Sequence, residues 1–183
     1  VDKNLYIIRH CQAEGQPPQA SLTEKGFEQA LALTEFFSTI QIDRIISSPF
    51  LRAIQTIQPF AQKTNLKIEE DERLAERILS KDPIPNWLEI YKETYQDLDL
   101  KFSGGESTRE ATNRALSLIH EIQKSPEENM ILVSHGNLIS LLISNLFDEV
   151  NGFKLWENLS NPDVYHLQFN NEEQHFKRIW ESN

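Results

Sequence analysis

Cysteine, long apolar runs and positive charge are all scarce in this 183-residue chain. Cys11 is its only cysteine, which excludes an internal disulfide and any cysteine-rich metal site. No apolar stretch reaches the length of a membrane span, since the best one, Leu138 to Leu146, is interrupted by Ser140, Ser144 and Asn145. The first residues place Asp2, Lys3 and Asn4 ahead of only four apolar residues and then Arg9, which is no signal peptide, so a cytoplasmic protein is expected. Lys and Arg number 18 against 28 Asp and Glu, a formal net charge of −10. Nucleic-acid binding draws its affinity from cations that neutralise phosphates, so neither nucleic acid nor an acidic membrane surface is an expected partner. A small phosphorylated substrate stays open, provided the few cations gather in one cleft and focus the field there. Metal-ligand spacings such as H-E-x-x-H are also missing, as are internal repeats and low-complexity segments, so no metal or other cofactor is expected.

What is present is an alternation of strands and helices. Apolar, β-rich runs at Leu5–Ile8, Ile42–Ser47 and Met130–Ser134 read as buried strands, with a weaker one at Leu66–Glu70. Thr23 reads as the N-cap of a helix whose apolar face is carried by Phe27, Ala30, Leu31, Leu33, Thr34 and Phe37. Ser48-Pro49 reads as the opening of a second helix, with the proline in its first turn. Glu106–Lys124 and the stretch from His135 to about Phe147 are helical. Val164–Phe169 and His175–Trp180 read as closing strands around a polar turn. The segment from about 78 to 103, with Pro83, Pro85, Trp87, Tyr91 and Tyr95, reads as an irregular cap inserted over a site. The expected architecture is one α/β domain over 1–183: a three-layer α/β/α fold with a mostly parallel central sheet and that small cap.

Three strand ends carry the chemistry. Arg9-His10 follows the first strand, Ser47-Ser48-Pro49 with Arg52 the second, and Ser134-His135-Gly136 the third. In a doubly wound sheet these ends, and the helix N-termini after them, line the binding crevice. Helix N-termini offer free N–H groups to anions, and an arginine fork stays charged and grips two phosphate oxygens. Position and residue type therefore point to two arginines and two histidines converging on one phosphate.

At these residues the chain resembles the histidine phosphatase superfamily, in the branch named for phosphoglycerate mutases. The resemblance is carried by LYIIRHCQAE at 5–14, SLTEKGFEQA at 21–30, IISSPFLRAIQTIQ at 45–58, RLAER at 73–77, GGES at 104–107 and ILVSHGNLIS at 131–140. It implies a metal-independent phosphomonoesterase in which His10 is the phosphoryl-accepting nucleophile. It further implies that Arg9, Arg52, Gly136 and His135 bind the phosphoryl group and that Glu76 protonates the leaving alcohol. Cys11 stands where the family usually has glycine, and Gln12 where many members have glutamate. The longer loop with which mutases grip a phosphoglycerate carboxylate is not visible between His10 and Leu22, which favours a phosphatase over a mutase. A non-catalytic phospho-ligand binder would be expected to have lost His10 or His135, and both are present. A phosphoprotein phosphatase would be favoured by an open, uncapped cleft.

Other residues carry two readings each. Cys11 beside a cationic pocket is either a neutral replacement for glycine or a thiol of lowered pKa open to oxidation. Arg77 either assists the pocket or pairs with a surface acid. The aromatics of the cap either face an organic ligand or form the core of the cap. Gly104-Gly105 with Ser107 or Glu106 reads as a turn that starts a helix, and His120, His166 and His175 fit no cluster.

Overall fold

A computed structural model describes residues 2–181. Six strands form one sheet in the order β3-β2-β4-β1-β5-β6, where β1 is Lys3–Arg9, β2 Arg44–Ser47, β3 Ile68–Glu70, β4 Asn129–Ser134, β5 Asp163–Phe169 and β6 Gln174–Arg178. The first four run parallel; β5 is antiparallel to β1, and β6 to β5. Six α-helices flank the sheet: α1 Glu24–Phe36, α2 Leu51–Thr64, α3 Trp87–Glu93, α4 Thr108–Gln123, α5 Gly136–Leu146 and α6 Gly152–Asn158.

The two-residue period of a strand sorts its side chains between two cores. Leu5 and Ile7 of β1, with Met130 and Leu132 of β4, pack under α4 and α5 against Ala115, Ile119, Leu138 and Leu142. Tyr6 and Ile8, with Ile131 and Val133, pack on the other face under α1 and α2 against Leu33, Phe37, Ile57 and Phe60. Both faces of the central strands are therefore covered, which is why they read as unbroken apolar runs.

Local signals set most helix starts. Thr23 accepts a hydrogen bond from the Gly26 amide at 3.0 Å, and Ser107 with Glu110 forms a reciprocal capping box at the head of α4. The α2 expectation needs correction. That helix begins at Leu51, and Pro49 lies outside it, because the Ser48 hydroxyl takes the Phe50 amide at 3.2 Å and holds the chain in a turn first. The cap is less irregular than its sequence, since it contains the two-turn α3. The short α6 was not anticipated at all.

Candidate active site

Because β1, β2, β3 and β4 are parallel, their carboxyl ends meet along one edge of the sheet. Arg9 and His10 leave β1, Arg52 sits in the first turn of α2 after β2, Glu76 follows β3, and His135 and Gly136 join β4 to α5. Arg9, His10, Arg52, Glu76 and Gly136 line one pocket of about 140 Å³, together with Gln12, Gln16 and Asn161. His135 lies behind that wall, 1% exposed, with its ring 5.0 Å from the His10 ring and 4.9 Å from that of Phe50.

The His10 ring is fixed by its own backbone neighbour. Nδ1 lies 2.7 Å from the Cys11 carbonyl oxygen, which only accepts, so Nδ1 carries the proton and Nε2 keeps its lone pair. Arg52 Nε donates to that Nε2 at 3.3 Å. Burial, and then the charges of Arg52 and Arg9, push the His10 pKa down to about 3, against the opposing bond to Cys11. His10 is thus an uncharged imidazole at neutral pH. Burial and the neighbouring His10, Arg52 and Arg9 likewise hold His135 well below the ordinary histidine range. The Nε2 of His135 is 2.8 Å from the Ser48 hydroxyl, and its buried Nδ1 has no hydrogen-bond partner among the described residues.

Each arginine is braced by backbone carbonyls. Arg52, 1% exposed, donates through Nη1 to Pro17 O at 2.9 Å, and its guanidinium lies 5.1 Å from the Phe50 ring centre. Arg9 Nη1 donates to Leu159 O at 3.3 Å and to Ser160 O at 3.4 Å, while its buried Nε has no partner among the described residues. Gly136 makes room for Arg9: a Cβ there would stand 3.1 Å from both Nε and Nη2. Gly26 does the same for the pocket loop, since a Cβ would fall 2.1 Å from Gln12 O.

Glu76 keeps a partly exposed side on the pocket, but its carboxyl is enclosed by protein, and burial raises its pKa above the ordinary carboxylate range. The rise is opposed by three backbone amides: Arg77 and Leu138 donate to Oε1 at 2.9 and 3.0 Å, and Asn137 to Oε2 at 3.0 Å. Two of these amides are free because they lie in the first turn of α5.

Several expectations change here. The Cys11 side chain is fully buried with Leu22 and Ala30 and does not line the His10 pocket, and burial pushes its thiol up to about 12. The oxidation-prone thiolate is therefore excluded. Arg77 takes neither reading offered for it: its buried guanidinium donates to Glu106 O at 3.1 Å and to the hydroxyls of Thr94 and Thr108 at 3.4 and 3.1 Å, tying the cap to α4. Tyr91 and Tyr95 pack their rings, tilted or edge-on, against Phe153 and Trp156 of α6 and do not line the His10 pocket, so they serve as the core between the cap and α6. Tyr95 also borders a larger cavity of about 600 Å³ near α4, α5 and α6, which contains no histidine and neither arginine of the phosphate site.

Asn161 was missed. Its side-chain amide donates to the His10 carbonyl at 2.9 Å, and the antiparallel register Arg9↔Asp163 is what brings it there. Ser48 and Thr56 were missed as well; Thr56 Oγ1 accepts from the Cys11 amide at 2.9 Å and donates to Arg52 O at 2.8 Å, joining the two strand ends.

The model of the histidine phosphatase superfamily (branch 1) matches residues 5–182. The chain belongs to that superfamily. Among curated members it is 27% identical over 147 residues to phosphoserine phosphatase 1 of Hydrogenobacter thermophilus, covering 72% of this chain and 70% of that one. It is 28% identical over 158 residues to a Salmonella choleraesuis protein named "Probable phosphoglycerate mutase GpmB", covering 78% of this chain and 74% of the other. Among solved structures it superposes on mycobacterial glucosyl-3-phosphoglycerate phosphatase with a TM-score of 0.76 at 23% identity, over all of both chains. As a histidine phosphatase superfamily member it has the expected α/β architecture, with the two strands at one edge antiparallel.

Proposed function

We propose that this member of the superfamily is a phosphomonoesterase that hydrolyses a small phosphate ester through phospho-His10, without a metal. The observation that carries the reading is the neutral His10 ring, its Nδ1–H committed to the Cys11 carbonyl and its Nε2 presented to a pocket holding two arginines. In the first step Nε2 attacks phosphorus, the P–O bond to the alcohol breaks, and Glu76 gives its proton to the departing oxygen. Arg9 and Arg52 hold the equatorial oxygens as charge builds on them, with His135 completing the set from behind His10. In the second step water attacks phospho-His10, its proton returns to Glu76, and inorganic phosphate leaves. The names of the curated relatives include both a phosphatase and a mutase. A mutase would return the phosphoryl group to a second hydroxyl instead of to water.

The test is phosphate release from a panel of esters, with chelator present, by the wild type and a His10→Ala variant, plus a base quench of the wild type during turnover. Release insensitive to chelator, absent from the variant and accompanied by an acid-labile phosphoryl-protein is the expected result. Undiminished release by the variant would overturn the assignment.

A further inference from the structure

The pocket has a charged end and an uncharged one. Arg9 and Arg52 occupy the phosphoryl end, and no third Lys or Arg lines the pocket among the described residues. No Lys or Arg occurs between Arg9 and Lys25, the stretch that includes the loop over the pocket, nor between Lys154 and Lys177, the stretch that includes Asn161. Arg77, next to Glu76 in the chain, does not line the pocket, and its Nε and Nη1 are turned to Glu106 O and to the hydroxyls of Thr94 and Thr108. Instead, the outer wall consists of Gln12, Ala13, Gly15, Gln16 and Asn161.

These amides have hydrogen-bonding capacity left over. Gln12 Oε1 accepts from the Thr23 hydroxyl at 2.8 Å, which leaves its NH2 to donate. Asn161 spends its NH2 on the His10 carbonyl and keeps its oxygen as an acceptor. Gln16 is exposed and makes no hydrogen bond among the described residues, so both halves of its amide are available. A donor, an acceptor and a mixed amide suit the hydroxyls of a polyol. A carboxylate in the same place would lose water, meet no cation of its own and share the pocket with Glu76.

Building on the phosphatase reading, we propose that Gln12, Gln16 and Asn161 form a leaving-group subsite for an uncharged, hydroxyl-bearing alcohol, and that esters with a carboxylate on the leaving group are rejected. This separates the chain from relatives whose names carry phosphoserine or phosphoglycerate.

Glycerol 3-phosphate and 3-phosphoglycerate share a three-carbon skeleton and differ by a hydroxymethyl group against a carboxylate, so they isolate the point. The wild type should show a kcat/KM about tenfold or more higher for glycerol 3-phosphate. A Gln16→Arg variant should narrow that ratio by improving 3-phosphoglycerate. Equal or better turnover of 3-phosphoglycerate by the wild type overturns the subsite while leaving the phosphatase reading intact, with p-nitrophenyl phosphate as the reference ester. If none of the three esters is hydrolysed, the phosphatase reading falls. Calorimetric binding of the two three-carbon esters then decides the subsite, and 3-phosphoglycerate binding as tightly as its partner overturns it.

Discussion

Replacing Glu76 with glutamine separates two roles of one carboxyl. In the fold it accepts three backbone N–H bonds, two at Oε1 and one at Oε2. Glutamine keeps a single acceptor oxygen, so if that oxygen serves Arg77 and Leu138, the NH2 faces the Asn137 amide and leaves it unpaired. An orphaned buried donor costs about 1–3 kcal/mol. Part of that is offset, because burial raises the Glu76 pKa and its ionised form therefore weighs against the fold. A net loss of about 1 kcal/mol is expected, small enough for the variant to fold, and urea denaturation checks it. In the proposed reaction the same carboxyl protonates the leaving oxygen, a contribution of about 10²- to 10⁴-fold, or about 3–5 kcal/mol of barrier. An alkoxide needs that proton, whereas p-nitrophenolate departs without it. Glu76→Gln should therefore lower kcat on glycerol 3-phosphate by about 10²- to 10⁴-fold, and on p-nitrophenyl phosphate by less than about tenfold. Wild-type kcat on the alkyl ester should also fall as pH rises through the elevated Glu76 pKa, and that limb should vanish in the variant. Equal losses on both esters would refute the acid role and leave Glu76 as a brace for the start of α5.

Two further predictions test the electrostatics of the pocket. His10 and His135 are buried with lowered pKa values, so the unfolded chain binds protons that the folded one refuses, and stability should fall as pH drops below about 6.5. The two together give a slope of up to about 2.7 kcal/mol per pH unit, and His10→Ala should roughly halve it in urea denaturation; a flat wild-type profile would refute the neutral assignment. Gly136→Ala would press a methyl group on the Arg9 guanidinium at 3.1 Å, and because a shift of a few tenths of an ångström relieves it while only loosening the long bonds of Nη1 to Leu159 O and Ser160 O, stability should barely change while kcat/KM falls about tenfold. Unchanged kinetics would mean that Arg9 does not need its present position.

The parts legible in the sequence were those with a local signature. The β1, β2 and β4 runs are apolar because both faces of those strands are buried, and the Arg9-His10, Arg52 and His135-Gly136 groups stand at their ends because parallel strands share an edge. What stayed hidden depends on distant partners. The helix α3 has only seven residues, and its one buried residue, Tyr91, finds its burial against α6, some sixty residues later in the chain. The importance of Asn161 follows from the pairing of Arg9 with Asp163, and an asparagine before a proline says nothing of such a register. Cys11 was misjudged for a geometric reason. Past the end of β1 the two neighbours part company, His10 lining the pocket with the arginines and Cys11 packing into an apolar cluster with Leu22 and Ala30.

The charge count in the pocket supports the acid role proposed for Glu76, although three amides brace its carboxyl. Arg9 and Arg52 supply two positive charges, and each is held below the ordinary arginine range by burial, the larger effect, against the opposing charge of Glu76. Before substrate arrives, an ionised Glu76 therefore relieves two cations that have lost their water. A dianionic phosphoryl group balances the arginines by itself, and an ionised Glu76 would then leave one negative charge uncompensated in a confined space. Protonation removes that charge, so substrate binding and burial act in the same direction on Glu76 while the three N–H bonds oppose them. The acid is thereby armed by the ligand that requires it. Once the alcohol has taken the proton, the phosphorylated His10 ring, which keeps its Nδ1–H, carries a positive charge that again balances a Glu76 carboxylate, and that carboxylate deprotonates the water that releases phosphate. In the proposed mechanism one carboxyl thus serves both half-reactions because the net charge of the phosphoryl group with His10, rather than the fold alone, sets its protonation state.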